Sequence, residues 1–516
     1  MLCPAYILRL EGSEVKKVQG SRFSVHSLQM NTPITQKFHI HCCLVVAAVL
    51  LCSCATNPVT KKTEFVLMSE DQELQLGREM DPQIKEQYGV YNDSSLQAYV
   101  SSVGQRIAAV SHRPDISFHF TVLNDPMVNA FALPGGYIYI TRGLLAHMNS
   151  EAELAGVLAH EAGHVTARHA VRQYTKGATY TVGKNVASIF FPELSQGLGQ
   201  LADVVFVAIS SGYSREFENE ADNLAVTYAT AAGYDPRAMA SILRTLELLN
   251  KDEEESYTSL FATHPATQKR IESVEQAAGS AGSSPLVIGR EVYLKHIDGI
   301  LFGQDIRQGV ISGSTFRHPT LRIQAVFPTG WPVANTADAV KAQEPNNYAA
   351  LELRIHHPNS GTTLEAAARS ISSGLGLTLF NGTLQQINGL RAYVGTYGGR
   401  TSDGQSVGAR IGFFMINDTV YYILGYANSS LFSRADPYFK QTIASFRQIS
   451  RQEAGAIRQD YVRLYTVTRN ENLPALMTRM GIPREYTETI ALLNSWDPDR
   501  IPPLTPGMVI KILKEL

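Results

Sequence analysis

The heptapeptide Leu-Ala-His-Glu-Ala-Gly-His, residues 158–164, has the residue types and spacing that could do chemistry. His160 and His164 are four residues apart, so on a helix they share one face. Two imidazoles so placed can bind one zinc ion, which prefers nitrogen and oxygen ligands in a tetrahedral arrangement. Glu161 would lie beside the open coordination position and could take a proton from bound water. The motif predicts one zinc ion per chain and a hydrolytic reaction; the alternative is a buried polar helix face without metal.

A zinc site of this kind needs a third protein ligand. His169 is the nearest candidate, but the extended three-histidine pattern needs glycine at 167 and histidine at 170, and alanine occupies both positions. His169 therefore fits better behind the ligands or facing solvent. Glu218 and Asp222, four residues apart on the next predicted helix, are the better candidates. One of these carboxylates can bind zinc while the other orients the ligands.

The elements that must position these residues follow from capping signals and periodicity. Ser150 and Glu153 have capping-box spacing, which predicts the start of a helix over 151–172 that carries the motif. Alternating apolar residues predict strands, and a period near 3.6 predicts helices. Strands are predicted at 118–125 and in a hairpin within 129–145, whose second strand is Tyr137–Thr141. Helices are predicted at 69–88, 94–111, 215–232 and 237–250.

Three motifs together resemble the zinc metallopeptidase family of the CAAX prenyl protease and HtpX: "LAHEAGH", "SREFENEAD" and "NAFALPGGYIYITRGLL". The resemblance covers roughly residues 65–275. It implies a mainly helical zincin-type (gluzincin) domain with a small edge sheet, in which Glu218 is the third zinc ligand and Asp222 its companion. It also implies that the strand near Asn129 and Ala130 borders the cleft and binds the substrate backbone by strand addition.

Two further residues have open alternatives. His264 lies where the family often has a His-Pro pair. It either caps a helix end, or stabilises the oxyanion, or occupies the open zinc position and holds the enzyme inactive. Arg215 either forms a salt bridge with Asp222 or Glu220 on its own helix, or steadies charge in the transition state.

The N-terminal segment predicts export and a lipid anchor. The run 42–54, "CCLVVAAVLLCSC", is too short to span a bilayer but has the length of a signal-peptide core. Its end resembles the bacterial lipobox, which implies cleavage before Cys54 and lipidation of its thiol; the alternative is an ordinary signal peptide. Met30 is a plausible true start. The expected location is the periplasm of a Gram-negative bacterium, anchored to the outer membrane.

Composition excludes several classes of protein. All five cysteines lie within the first 54 residues, so the folded body has neither a disulfide framework nor a thiolate zinc site. The formal net charge of -2 argues against nucleic-acid binding. A chain of 516 residues is long enough for several domains.

The predicted organisation is that of an α+β multidomain protein. The run 175–212 is predicted to be a buried helical hairpin near the cleft. The C-terminal segment resembles a LysM module, with "YTV", "LLN" and "LTPGMVIKI" as landmarks, and this resemblance implies glycan binding. The predicted segments are a signal peptide (1–54), a tether (55–68), a zinc metallopeptidase domain (69–285), an α+β antiparallel-sheet domain (305–450) and a LysM-like βααβ module (455–516).

These features predict a lipid-anchored periplasmic zinc endopeptidase. Its expected substrates are unfolded or misassembled envelope proteins, in quality control of the outer membrane. The C-terminal domains could contact peptidoglycan or the assembly machinery. The alternatives are a largely latent scaffold, a cell-wall-binding lipoprotein, or an amidase that acts on peptidoglycan peptides.

Overall fold

The computed structural model describes residues 54–177, 205, 209–250, 264, 267–279, 286–336, 338–401 and 404–515. The predicted signal peptide, and most of the predicted hairpin at 175–212, lie outside these residues. Helices and several separate sheets are both present, as the α+β prediction requires. Within the described part of the chain, every helix is too short or too polar to cross a bilayer.

The described residues of the first half of the chain are mainly helical and include a two-stranded hairpin and a small three-stranded sheet. Its elements are β1 (Cys54–Thr56), β2 (Thr63–Phe65), α1 (Glu70–Tyr88), α2 (Ser94–Ala109), β3 (His119–Leu123), β4 (Ala130–Leu133), β5 (Tyr137–Thr141), α3 (Arg142–His147), α4 (Glu151–Thr166), α5 (His169–Gly177), α6 (Arg215–Ala231), α7 (Arg237–Leu249), α8 (Gln268–Gly279), α9 (Arg290–Ile297) and β6 (Leu301–Phe302). β1 and β2 form a hairpin in the segment that was predicted as a tether.

The helix that carries the two-histidine motif starts at Glu151, as predicted, but ends at Thr166 instead of residue 172. At its start, the Ser150 side chain accepts the N–H of Glu153, but the Glu153 carboxylate accepts the N–H of Asn149, so only half of the capping box forms. At its end, α4 stops at Thr166 because Arg168 has a left-handed backbone (φ 54°). A second helix, α5, starts at His169 and runs in a new direction.

Every residue of α4 is buried, because the helix packs against α2, α6, α7 and the small sheet. Gly163 allows α6 to come close. A Cβ atom at this position would lie 3.2 Å from the Leu224 side chain and 3.3 Å from the Ala221 backbone. The absence of a side chain at Gly163 thus lets α6 bring its carboxylates to the motif.

The small sheet has the order β3-β5-β4, with β3 parallel and β4 antiparallel to β5. Gly135 and Gly136 join β4 to β5 with positive φ angles of 79° and 94°, which favour glycine. β5 matches its predicted bounds. Among the described strands, β4 is at the edge of this sheet, and it packs against α4.

The second half begins with an antiparallel-sheet domain, as predicted. Its elements are β7 (Val310–Ser312), β8 (Thr315–His318), β9 (Ile323–Val326), β10 (Val333–Asn335), β11 (Ala339–Gln343), β12 (Ala349–His356), α10 (Leu364–Gly374), β13 (Thr378–Ile387), β14 (Leu390–Arg400), β15 (Ser406–Ile416), β16 (Thr419–Asn428), α11 (Phe432–Ser445) and β17 (Arg447–Gln448). Seven of these strands pair in the order β10-β11-β12-β16-β15-β14-β13, and a four-stranded sheet has the order β17-β9-β8-β7. Helices α10 and α11 pack against the larger sheet.

The C-terminal segment has the predicted order of strand, two helices and strand. Its elements are α12 (Arg451–Gly455), β18 (Asp460–Thr466), α13 (Leu473–Met480), α14 (Thr487–Leu493) and β19 (Val509–Glu515). β6 extends the β19-β18 pair to a three-stranded sheet. The buried side chains of this segment belong to the same hydrophobic cluster as those of α2, α4 and α7. The segment is therefore built into the core of the helical half.

Candidate metal centre

Four buried side chains converge between α4 and α6. α4 provides His160 and His164, α6 provides Glu218, and His264 comes from the segment before α8. One ligand atom from each of these residues lies within 4.8 Å of the other three. The two-histidine motif and the carboxylate from the next helix therefore meet, as the sequence predicted.

The separations between the donor atoms fit a zinc ion. His160 Nε2 lies 3.1 Å from His164 Nε2, and these nitrogens lie 3.6 and 3.5 Å from the Glu218 carboxylate. Two ligands at ordinary zinc distances on a tetrahedral ion are about 3.3 Å apart. Glu161 is buried beside this group, and its Oε2 has no hydrogen-bond partner among the described residues. Two imidazoles, a carboxylate and an unpaired glutamate oxygen suit zinc and its bound water.

His160 is held in place by a carboxylate, and that carboxylate by an arginine. His160 Nδ1 lies 3.0 Å from Asp222 Oδ1. Arg270 donates two hydrogen bonds of 2.7 Å to Asp222 and lies 2.9 Å from Glu218 Oε2. A carboxylate behind a metal-binding histidine fixes the ring orientation and tautomer. The sequence reasoning missed Arg270; the cue was a basic residue in the helix that follows the His-Pro pair.

His164 has a different support. Its Nδ1 lies 2.8 Å from His169 Nδ1, and His169 Nε2 lies 3.2 Å from Glu220 Oε2. The Tyr213 ring stacks on His164 with 4.2 Å between ring centroids. His169 is fully buried, so of its two predicted positions it takes the one behind the ligands.

The prediction that Arg215 pairs with Asp222 or Glu220 is wrong. Arg215 is exposed in the first turn of α6. Asp222 instead pairs with Arg270, and Glu220 pairs with Arg172 at 2.8 Å. Other helices supply the cations: Arg172 lies on α5 and Arg270 on α8.

His264 lies in the same group of side chains that could hold a metal ion. Its Nδ1 lies 2.8 Å from Glu218 Oε1 and 3.4 Å from His160 Nε2. Its Nε2 lies 3.8 Å from Glu161 Oε1. The ring therefore stands between the proposed third ligand and the proposed base, where a fourth ligand would lie.

Burial and neighbouring charges shift the pKa values of the two glutamates of the site in opposite directions. Burial raises the pKa of Glu161, which suits a group that must hold a proton briefly. Burial alone would also raise the pKa of Glu218, but His264 and His160 outweigh it and hold this pKa well below its usual range. Glu218 is therefore the ionised carboxylate, as a metal ligand must be.

Asn129 and Ala130 lie at the start of β4, the strand that packs against α4. The N–H of Thr141 donates to the carbonyl of Asn129, so the backbone of Asn129 faces β5. Because the backbone direction alternates in an antiparallel pair, the N–H and C=O groups of Ala130 and Ala132 face the free edge. The Asn129 side-chain oxygen is buried without a hydrogen-bond partner among the described residues.

Two histidines one turn apart, a glutamate from a later helix and a glutamate beside the first histidine form the residue pattern that zinc metallopeptidases use. Residues 94–278 match the family model described as Peptidase family M48. The resemblance to zinc metallopeptidases is thereby confirmed.

Several metallopeptidases are similar to part of this chain. Mitochondrial metalloendopeptidase OMA1 of Arabidopsis thaliana is 36% identical over 204 residues, which are 39% of this chain and 40% of that protein. Mitochondrial metalloendopeptidase OMA1 of Schizosaccharomyces pombe is 30% identical over 227 residues, 42% of this chain and 65% of that protein. The Beta-barrel assembly-enhancing protease of Escherichia coli (strain K12) is 27% identical over 238 residues, 44% of this chain and 48% of that protein. The chain thus spans between 40% and 65% of the length of these three relatives.

Proposed function

We propose that this chain is a lipid-anchored periplasmic zinc endopeptidase of gluzincin type, with His160, His164 and Glu218 as the zinc ligands. The observation that carries this proposal is the convergence of two imidazole nitrogens and one carboxylate at 3.1 to 3.6 Å beside a buried, unpaired glutamate. The metalloendopeptidase relatives support the same activity.

The roles of the residues follow from their positions. Zinc, when bound, polarises the scissile carbonyl and acidifies a water molecule. Glu161 accepts the proton of that water at its unpaired Oε2 and passes it to the leaving amine. Asp222 and Arg270 hold His160 and Glu218 in position. The free edge of β4, at Ala130 and Ala132, binds the substrate backbone as an added strand.

His264 gives the site a closed form. Its Nδ1 stands within 3.4 Å of His160 Nε2, in the place of a fourth ligand. A catalytic zinc site keeps that position open for water and substrate. In this proposal, His264 must move aside before cleavage, which makes the described arrangement a latent form of the enzyme.

The proposed substrates are unfolded or misassembled envelope proteins. The name of the Escherichia coli relative, a beta-barrel assembly-enhancing protease, supports this class. The lipobox-like ending at Cys54 supports anchoring to the outer membrane from the periplasmic side, and the LysM-like segment 455–516 supports a contact with peptidoglycan. A latent cell-wall-binding scaffold would be retained by peptidoglycan and would not cleave casein, and an amidase would digest muropeptides instead of proteins.

Substitution of Glu161 by glutamine tests the activity directly. Glutamine keeps the size of the side chain but cannot accept the proton, so we expect full zinc content and a rate of casein cleavage lower by about 100-fold or more. Metal analysis and a quenched-casein assay, with chelator-treated and zinc-restored wild type as controls, provide the measurement. Full activity in Glu161→Gln would refute the assigned role.

A further inference from the structure

A second histidine stands directly behind His164. His169 Nδ1 lies 2.8 Å from His164 Nδ1, so one of these two nitrogens donates a proton to the other. His164 Nε2 faces His160 Nε2 and Glu218, where a metal ligand needs its lone pair. A neutral His164 that binds metal through Nε2 must therefore carry its proton on Nδ1 and donate it to His169.

Glu220 determines which way this hydrogen bond runs. His169 Nε2 lies 3.2 Å from Glu220 Oε2, and an ionised carboxylate can only accept. His169 thus carries its proton on Nε2 and turns the lone pair of Nδ1 toward His164. Arg172 lies 2.8 Å from the same Glu220 oxygen and keeps this carboxylate ionised and in place.

The backbone and the neighbouring rings fix His169 in this position. Arg168, with its left-handed backbone, ends α4 and turns the chain so that residue 169 folds back toward residue 164. The His169 ring stacks on Phe217 of α6 with 4.4 Å between centroids and 12° between planes. The stacking on Phe217 and the contacts at both ring nitrogens hold the ring in this orientation, so the fold sets the direction of donation.

We propose that His169 is a positioning residue that, through Glu220, holds His164 in the tautomer that binds zinc. This inference rests on the proposed function. The Asp222 carboxylate contacts His160 directly. His164 contacts the neutral imidazole of His169 instead, and the more distant Glu220 carboxylate fixes the tautomer of that imidazole. The two ligands of one metal are thus oriented by two separate networks.

Zinc affinity measured by competition with a chelating dye tests this proposal in the Glu161→Gln background, which removes self-digestion. His169→Leu keeps an apolar volume but cannot accept from His164, so we expect zinc to bind about 10- to 100-fold more weakly. His169→Gln offers an accepting oxygen to His164 and a donating amide to Glu220, so we expect most of the affinity to return. His147→Leu is the matched control, because His147 is also buried but hydrogen-bonds to the Gly143 carbonyl.

The stability of the zinc-free protein separates positioning from general packing. We expect the metal-free melting temperatures of the leucine and glutamine variants to be similar while their zinc affinities differ; equal affinities would overturn the proposal. If the leucine variant does not fold, Glu220→Ala decides, because Glu220 is partly exposed, and an unchanged zinc affinity there would overturn the proposal. Absence of zinc binding in the parent protein would instead refute the proposed function.

Discussion

Arg270 joins the two carboxylates of the metal centre. It donates two parallel hydrogen bonds to Asp222 and lies 2.9 Å from Glu218, so a single guanidinium orients one proposed ligand and the support of another. This arrangement needs the planar fork of arginine, which lysine does not have. The site therefore depends on Arg270, which lies outside the three motifs recognised in the sequence.

Replacement of Arg270 by lysine should weaken the metal site. Lysine keeps the charge but cannot bind both oxygens of Asp222, so we expect zinc affinity to fall by about 10- to 100-fold. Competition with a chelating dye measures the change. Arg215→Lys is the control, because Arg215 is exposed on α6, and we expect its affinity to match the wild type. Equal affinities in the two variants would contradict the role of Arg270.

Residue types and spacing were sufficient to predict the proposed ligands but not their supports. His160, Glu161 and His164 are recognisable because an i, i+4 spacing is a property of one helix. Asp222 was expected near the ligands because it lies one turn from Glu218. Arg270 and the inward position of His264 depend on how α8 approaches α6. No local pattern encodes that approach.

At the scale of elements, the free edge of β4 is the proposed binding strand. The hairpin was predictable from its alternation and its Pro-Gly-Gly turn. The break between α4 and α5 was not, because it depends on Arg168, whose guanidinium is held by Glu73 at 2.7 Å and by the Met68 carbonyl. A tertiary contact therefore overrides the helical periodicity of 151–172 and turns His169 toward the site.

If the substrate binds as an added strand, the effect of changing its backbone should alternate from one residue to the next. Alternate backbone N–H groups of an added strand face β4, so single N-methyl groups placed along a cleaved peptide should impair cleavage at every second position. We expect each sensitive position to lower kcat/KM by about 3- to 10-fold, the cost of one lost hydrogen bond. The unmethylated peptide is the reference for each. A uniform tolerance of N-methylation would rule out binding along the edge of β4.

At the scale of the molecule, the C-terminal segment is part of the core of the helical half. Lys511 of β19 is fully buried and donates hydrogen bonds of 2.7 Å to the carbonyls of Ala146 and Met148, beside the start of α4. Asn149 donates to the Leu493 carbonyl across the same contact. The sheet domain, in contrast, has buried clusters of its own. The sequence motifs located the segment 455–516, but they could not show that it packs against the helical half.

Unfolding should therefore occur in two steps, one for the sheet domain and one for the helical half together with the C-terminal segment. Lys511→Met leaves two buried carbonyls without a donor, so we expect the second step to lose about 2 kcal/mol while the first is unchanged. Differential scanning calorimetry measures both. Lys514→Met, an exposed change on the same strand, should alter neither. A third, separate transition for the C-terminal segment would contradict the shared core.

The coordination of zinc in the purified protein is the most direct test of the metal centre. X-ray absorption at the zinc edge, on full-length protein with one zinc per chain, should show imidazole nitrogens and a carboxylate oxygen at about 2.0 Å and no sulfur. Glu218→Ala should lose the carboxylate contribution or the metal itself. A sulfur-containing shell, or an unchanged spectrum and zinc content in Glu218→Ala, would contradict the assignment of His160, His164 and Glu218 as the ligands.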